Sequence, residues 1–181
     1  MPHQRQLIRE AAKTTLVGKT AAGPRVYETR IVPWRKLELP ALAIYTLDES
    51  VDPASSTTAP RELERTVDLA IEGAVRQGEN IDDSIDELAL EIERAMHADP
   101  YLGGTASDSI LSSTEIEVVE ESDRLVGVVR LVYSTRYYTL APDPADVELD
   151  DFKTADIRTS LGGVVEAENQ AHDVVELKEV Q

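Results

Sequence analysis

Cysteine is absent from this 181-residue chain, which removes disulfides, thiolate nucleophiles and Cys-ligated metals from consideration. Aromatic residues make up 4%, with one Trp and one Phe, so Leu, Ile and Val have to build the core. No run approaches the ~20 apolar residues of a membrane-spanning helix, and no membrane partner is expected. The opening MPHQRQLIREAAKTTLV is charged and lacks the unbroken apolar stretch of a signal peptide, which predicts a soluble intracellular protein. Histidines stand at 3, 97 and 172, none followed on a helix by a further ligand type at the third or fourth position, so no metal site is expected. There is no Gly-x-Ser-x-Gly elbow and no glycine-rich dinucleotide loop after a strand. Gly18-Lys19-Thr20 imitates the end of a phosphate-binding loop, but Lys13 stands where the first glycine belongs and a helix precedes it. Nothing here supports a cofactor or catalysis, and a non-enzymatic role is expected.

What the chain has in excess is acid. Its formal charge is −17, and it is unevenly placed. Residues 1–40 carry eight Lys/Arg against three Asp/Glu, whereas the remainder carries ten against thirty-two. An acidic body repels nucleic-acid phosphates instead of gripping them. Solubility explains such a charge. So does a basic face on one subunit meeting an acidic face on the next.

The strongest periodic signal is Asn80 to Met96, NIDDSIDELALEIERAM. Ile81, Ile85, Leu88, Ile92 and Met96 fall on one stripe of an α-helix. Asn80 or Asp82 is placed to cap it, Asp82, Asp83, Asp86 and Glu87 oppose the positive end of its dipole, and Pro100 stops it. Those acids lack the glycine and closing Glu of an EF-hand loop, so helix-start electrostatics accounts for them.

Before this helix, His3–Val17 predicts a first helix with Gly18 just past its end, and Gly23-Pro24 turns the chain. Arg25–Val32 (RVYETRIV) predicts a strand. Trp34, beside Arg35 and Lys36, reads as a partly buried anchor with snorkelling neighbours, or as a protein–protein anchor. Leu37–Leu47 predicts a strand with a bulge or an edge at Pro40. Residues 48–62, rich in Ser, Thr, Pro and Ala, predict a long mobile loop. Leu63–Val75 fits helix and strand alike, and Gly73 with the turn at Gln77-Gly78 favours the strand.

After it, Gly103-Gly104 opens a polar loop. Ile110–Glu121 alternates as a half-buried strand with a largely polar outer face, and pairs with Leu125–Tyr138 as an antiparallel hairpin across which Arg130 or Arg136 can meet Glu115 or Glu117. The six tyrosines mostly fall on strands and read as sheet packing. From Pro142 the composition changes, and Val147–Phe152 and Val174–Val180 carry strand-like alternation around Gly162-Gly163. The expectation is an α+β fold: a mixed, mainly antiparallel sheet of about four to five strands packed by two helices. The domain spans residues 1–141 and carries a long loop. Residues 142–181 form an acidic C-terminal arm or appendage.

The order of elements resembles the tail terminator (minor tail protein U-like) family of long-tailed bacteriophages. The residues that carry the resemblance are the RQLIREAAKTTL helix, RVYETRIVPWRKLELPALAIYTLDES, RELERTVDLAIEGAV, the IDDSIDELALEIERAM helix and the closing VGVVRLVYSTRYYT strand. Within them stand Leu39-Pro40-Ala41, Arg61-Glu62-Leu63 and Asp82–Leu88, and the resemblance covers residues 3–140. It implies a structural protein at the head-proximal end of the virion tail, assembled in the host cytoplasm. There a hexameric ring of self-associated copies caps the tail tube, ends tube growth and offers a surface to a head completion or connector protein. DNA passes through such a ring without specific binding. The implied inter-subunit or tube contacts are Arg25, Arg30, Arg35 and Lys36 on the basic side, with Trp34, Asp48, Glu49 and Arg61. The same pattern leaves a head–tail connector, a stopper or a tube protein open. Further away stands an acidic cytosolic adaptor or nucleic-acid mimic, against which the basic first forty residues count.

Overall fold

The computed structural model describes residues 2–34, 38–52, 61–76, 80–120, 125–141, 154–160 and 170–176. The chain divides into two compact units, 1–141 and 142–181. The first is an α+β fold: helix α1 (Gln4–Leu16), strands β1 (Val26–Glu28), β2 (Ala41–Asp52) and β3 (Glu62–Arg76), helix α2 (Ile81–Ala98), a 3-10 turn (Leu102–Gly104), and strands β4 (Asp108–Glu120) and β5 (Leu125–Leu140). The strand order is β1-β2-β3-β5-β4. β1 runs parallel to β2 and the remaining neighbours are antiparallel, so the sheet is mixed, as the alternation and helix pattern predict.

Helix α2 is the spine of this unit. Its stripe buries Ile85, Leu88, Ala89, Ile92 and Met96, against β3 and β5. Both strands give way to it. A Cβ on Gly127 would lie 2.6 Å from Ile85 Cδ1 and 2.8 Å from its Cγ1, and one on Gly73 would lie 2.8 Å from Leu88 Cδ2. The glycines are the seats into which the helix sinks. At its start Asn80 holds the N-cap position without a side-chain bond, and Asp82 and Asp83 occupy the first turn, where they oppose the dipole. Helix α1 lies on the same face of the sheet and buries Ile8, Ala12 and Leu16. His3 caps it: its side chain accepts from the Arg5 N–H at 3.2 Å, while the His3 N–H donates to Gln6 Oε1 at 2.9 Å. Gly18 follows the helix with φ +71°, the left-handed exit its position predicts.

Several boundaries differ from expectation, each for a local reason. β1 is three residues long and not eight, because Thr29 takes φ +69° and lifts the chain off the sheet after its last ladder bond, Thr29 N–H to Ile44 O at 3.0 Å. β2 begins after Pro40, and its bulge lies between Thr46 and Glu49, where Leu47 and Asp48 face one residue of β3. The long loop expected over 48–62 is narrower, since β2 runs to Asp52 and β3 starts at Glu62. Its middle, 53–60, lies outside the described residues. β4 is not half-buried. It is exposed almost throughout, because α2 lies over β3 and β5 and leaves the edge strand uncovered. A bulge between Leu111 and Ser113 also breaks the continuous alternation expected there. Ile110 consequently points to the opposite face from Ile116 and Val118.

The second unit contains an antiparallel pair, β6 (Thr154–Ser160) and β7 (Gln170–Glu176). β7 begins before the strand expected at 174–180 and overlaps it at 174–176, while residues 147–152 and 177–180 lie outside the described residues.

Two substitutions check the spine. Ile92→Ala is expected to cost about 2–5 kcal/mol by opening a cavity under α2. Gly127→Val should cost about 1–3 kcal/mol by overpacking against Ile85. Both are read from urea or thermal unfolding.

Candidate interaction surface

The sheet has two faces with different chemistry. Cross-strand partners share a face, so Gly127, Val129, Leu131, Tyr133 and Tyr137 lie on the helix side with Ile71 and Leu69. The back face carries a smaller apolar cluster: Trp34, Ala41, Ala43, Ala74 and Val126, flanked by Tyr27, Leu39, Tyr45 and Val128. Trp34 is 2% exposed, more completely buried than a partly covered anchor, because small alanines on β2 and β3 leave it a flat bed. Arg30 stacks over its ring at 4.2 Å from the centroid, a cation–π contact.

Arg30 leads into a charge network on that back face. Glu72, 7% exposed, accepts from Arg130 Nη2 at 2.6 Å and Nε at 3.1 Å, and Arg30 Nη2 lies 3.8 Å from its other oxygen. Arg130 also stands 3.8 Å from Glu115, the cross-hairpin pair expected from the sequence. The hydrogen bond to Glu72 raises the Arg130 pKa in spite of burial, so this cation is permanent. Arg136 pairs instead with Glu64 at 3.6 Å and Asp108 at 3.9 Å.

A second network ties α1 to the sheet on the helix side. Glu49 lies 2.9 Å from Arg65 and 3.3 Å from Arg5, and accepts from the Tyr137 hydroxyl. Burial pushes the Glu49 carboxyl up, but the Tyr137 hydrogen bond and the Arg5 and Arg65 charges outweigh it and hold it below the usual carboxylate range. Burial and the same carboxylate push Tyr137 up to about 12.

The eight expected contact residues therefore separate. Arg30 and Trp34 come together on the back face. Arg25 holds the turn before β1, donating from Nε to Pro40 O at 2.7 Å and from Nη2 to Ala21 O at 3.3 Å. Asp48 is exposed in the β2 bulge, Glu49 is engaged internally, and Arg61 is exposed just before β3. Arg35 and Lys36 lie outside the described residues. Glu72 was missed by sequence reasoning, although a single charge inside LAIEGAV was a signal that it needs a buried partner. Among the described residues no group of His, Asp and Glu is placed to hold a metal, and no helix is long and apolar enough to cross a membrane.

The uncovered part of the molecule is β4. Leu111, Ile116 and Val118 pair with Tyr133, Val129 and Gly127 and so share the helix-side face, yet they are 36%, 54% and 44% exposed. Between β4 and α2 runs a groove of about 520 Å³ lined by Glu93, His97, Pro100, Leu111 and Tyr133. Burial, and then the charge of Glu93, push the Tyr133 hydroxyl well above its ordinary range, and that hydroxyl has no hydrogen-bond partner among the described residues. Acids populate the strand: Asp108, Glu115, Glu117 and Glu120, with no Lys or Arg.

No protein-family description and no curated protein matches this chain. Among solved structures it is similar to a chain described as "Virion of native gene transfer agent (GTA) particle", at 15% identity and a TM-score of 0.40, covering 72% of this chain and 94% of that one. A likeness at that distance carries no assignment.

The Glu49 network sets an acid limit. Because its folded pKa is depressed, its stabilisation is complete above the unfolded carboxylate value and disappears as pH falls through the folded one. Glu49→Gln should lower stability at neutral pH by about 1–3 kcal/mol and flatten the fall of the melting temperature between neutral and acid pH.

Proposed function

We propose that this chain is a tail terminator of a long-tailed bacteriophage, a subunit of a hexameric ring that caps the tail tube and presents the head-joining surface. The observation that carries the reading is charge placement on a domain with exposed sheet edges. A ring of identical copies requires two unlike surfaces that fit each other and a rotation that closes. A basic first forty residues and an acidic remainder supply unlike surfaces within one chain. The sequence pattern from Arg5 to Thr139 supplies the family resemblance, and the α+β order is the one that resemblance implies.

In this reading the unneutralised acids have a use. Lining the hole of a ring, they repel phosphates and let DNA pass without sticking. The connection 53–60 and the unit 142–181 are the segments that engage the tube or a neighbouring protein. Partners are further copies of the chain, the tail tube protein and a head completion or connector protein.

Native mass spectrometry and electron microscopy of the purified chain should find one closed ring. Long tubes would make it a tube protein, and a monomer at every concentration and salt level would end the reading. Replacing residues 53–60 with a Gly-Ser linker of equal length should leave thermal stability unchanged and abolish capping. Normal tail length and head joining by that variant would remove the role given to this segment.

A further inference from the structure

We infer that the free edge of β4 is a docking site for a second copy of this chain, specifically for the basic segment Arg25–Val32 at the opposite edge of the neighbour's sheet. The inference rests on the ring reading above and names the surfaces that would meet.

β4 is a thirteen-residue strand at the end of the sheet, with its outer backbone groups unpaired among the described residues. An edge of that length carrying Leu111, Ile116 and Val118 exposed is a template for another strand. Its bulge at Ser112 and its four acids are the features that limit what fits there. Among the described residues three stretches of the same sheet have an open outer edge. β4 against a second β4 would set Glu115, Glu117 and Glu120 among their own copies, and like charges across a strand pair are unfavourable. The outer half of β2, beyond its pairing with β1 at Val26–Glu28, carries Asp48 and Asp52 and meets the same objection. The third stretch is β1 (Val26–Glu28), continued beside the sheet by the residues that leave it at Thr29. It carries Arg25 and Arg30 against a single Glu28, which is paired with Lys13 at 2.9 Å. Arg25 donates to uncharged backbone carbonyls, and Arg30 shares Glu72 with Arg130, so each site keeps a net positive charge. Arg35 and Lys36 follow in sequence.

That stretch also carries unpartnered apolar surface. Ile31 is 94% exposed and Val32 41%, because the left-handed turn at Thr29 takes them off their own sheet. A strongly exposed isoleucine next to Arg30 matches a strand whose uncovered face is apolar and whose charged residues are acidic. Joining two different edges of one sheet makes a head-to-tail contact, the kind that generates rings.

Cross-linking tests this directly, because the chain has no cysteine of its own. Single variants Ile31→Cys and Val32→Cys are each mixed under oxidising conditions with Leu111→Cys, Ile116→Cys or Val118→Cys. Disulfide-linked dimers are expected in the mixtures for at least one pairing and not in either variant alone. Ile31→Asp should weaken assembly about tenfold or more with an unchanged thermal melt, since the side chain touches no core. A closed ring with no cross-link in any of the six mixtures overturns this contact while leaving the ring intact. Dominant links between two Ile116→Cys copies give the edge to β4 itself and also overturn it. Links that form only after residues 142–181 are removed give the edge to the C-terminal unit and overturn it equally. A chain that never assembles sinks the ring reading as well.

Discussion

Helix α2 can lie flat on the sheet only where the sheet has no side chains in its path, and that constraint organises the domain. Gly73 on β3 and Gly127 on β5 stand beneath Leu88 and Ile85, so the helix axis is set by two missing methyl groups as much as by its own apolar stripe. Placing α2 over β3 and β5 has consequences on both sides. Toward β2 there is room for α1, which closes the core with Ile8, Ala12 and Leu16. Toward β4 there is no third helix among the described residues, and the edge strand is left exposed over most of its length.

Charge inside the domain is handled separately from charge on its surface. Glu49 and Glu72 are carboxylates taken largely out of solvent, and each is met by two guanidiniums. Removing either acid would strand its arginines, while the pairs themselves add modestly to stability, because desolvation offsets much of the attraction. Their effect is positional. Glu49 pins α1 to β2, β3 and β5; Glu72 pins the Arg30–Trp34 segment and the β5 strand to β3. Four arginines are thereby engaged by buried carboxylates while their own side chains stay partly exposed. The acids of β4 have no comparable partners beyond Arg130 and Arg136, and they make that edge strongly negative.

In the contact proposed above, an acidic, apolar edge strand would meet a neighbour's segment that carries Arg25 and Arg30 on either side of β1. The physical requirement is modest: like edges repel, unlike edges attract, and exposed isoleucines add non-directional burial. Selectivity comes from the repulsive half, since charge repulsion discourages the two-fold dimer that a neutral edge would permit.

The helices and most strands were legible from the chain because their signals are local. The three-and-four spacing from Ile81 to Met96, the glycine at position 18, and the β-branched runs around 63–75 and 125–138 each report on a few neighbouring bonds. Sequence also determined that acid outweighs base after residue 40 and that no thiol chemistry is possible. Tertiary structure decided what no window of residues contains: that β4 falls outside the shadow of α2, that its bulge turns Ile110 away from Ile116, and that Thr29 cuts β1 short. It likewise decided that Trp34 sinks onto three alanines and that Glu49, expected at a surface, is enclosed by Arg5, Arg65 and Tyr137. These depend on which elements end up adjacent. Adjacency is set by the summed packing of residues dozens of positions apart, whereas propensity and periodicity act over a single turn or a single strand.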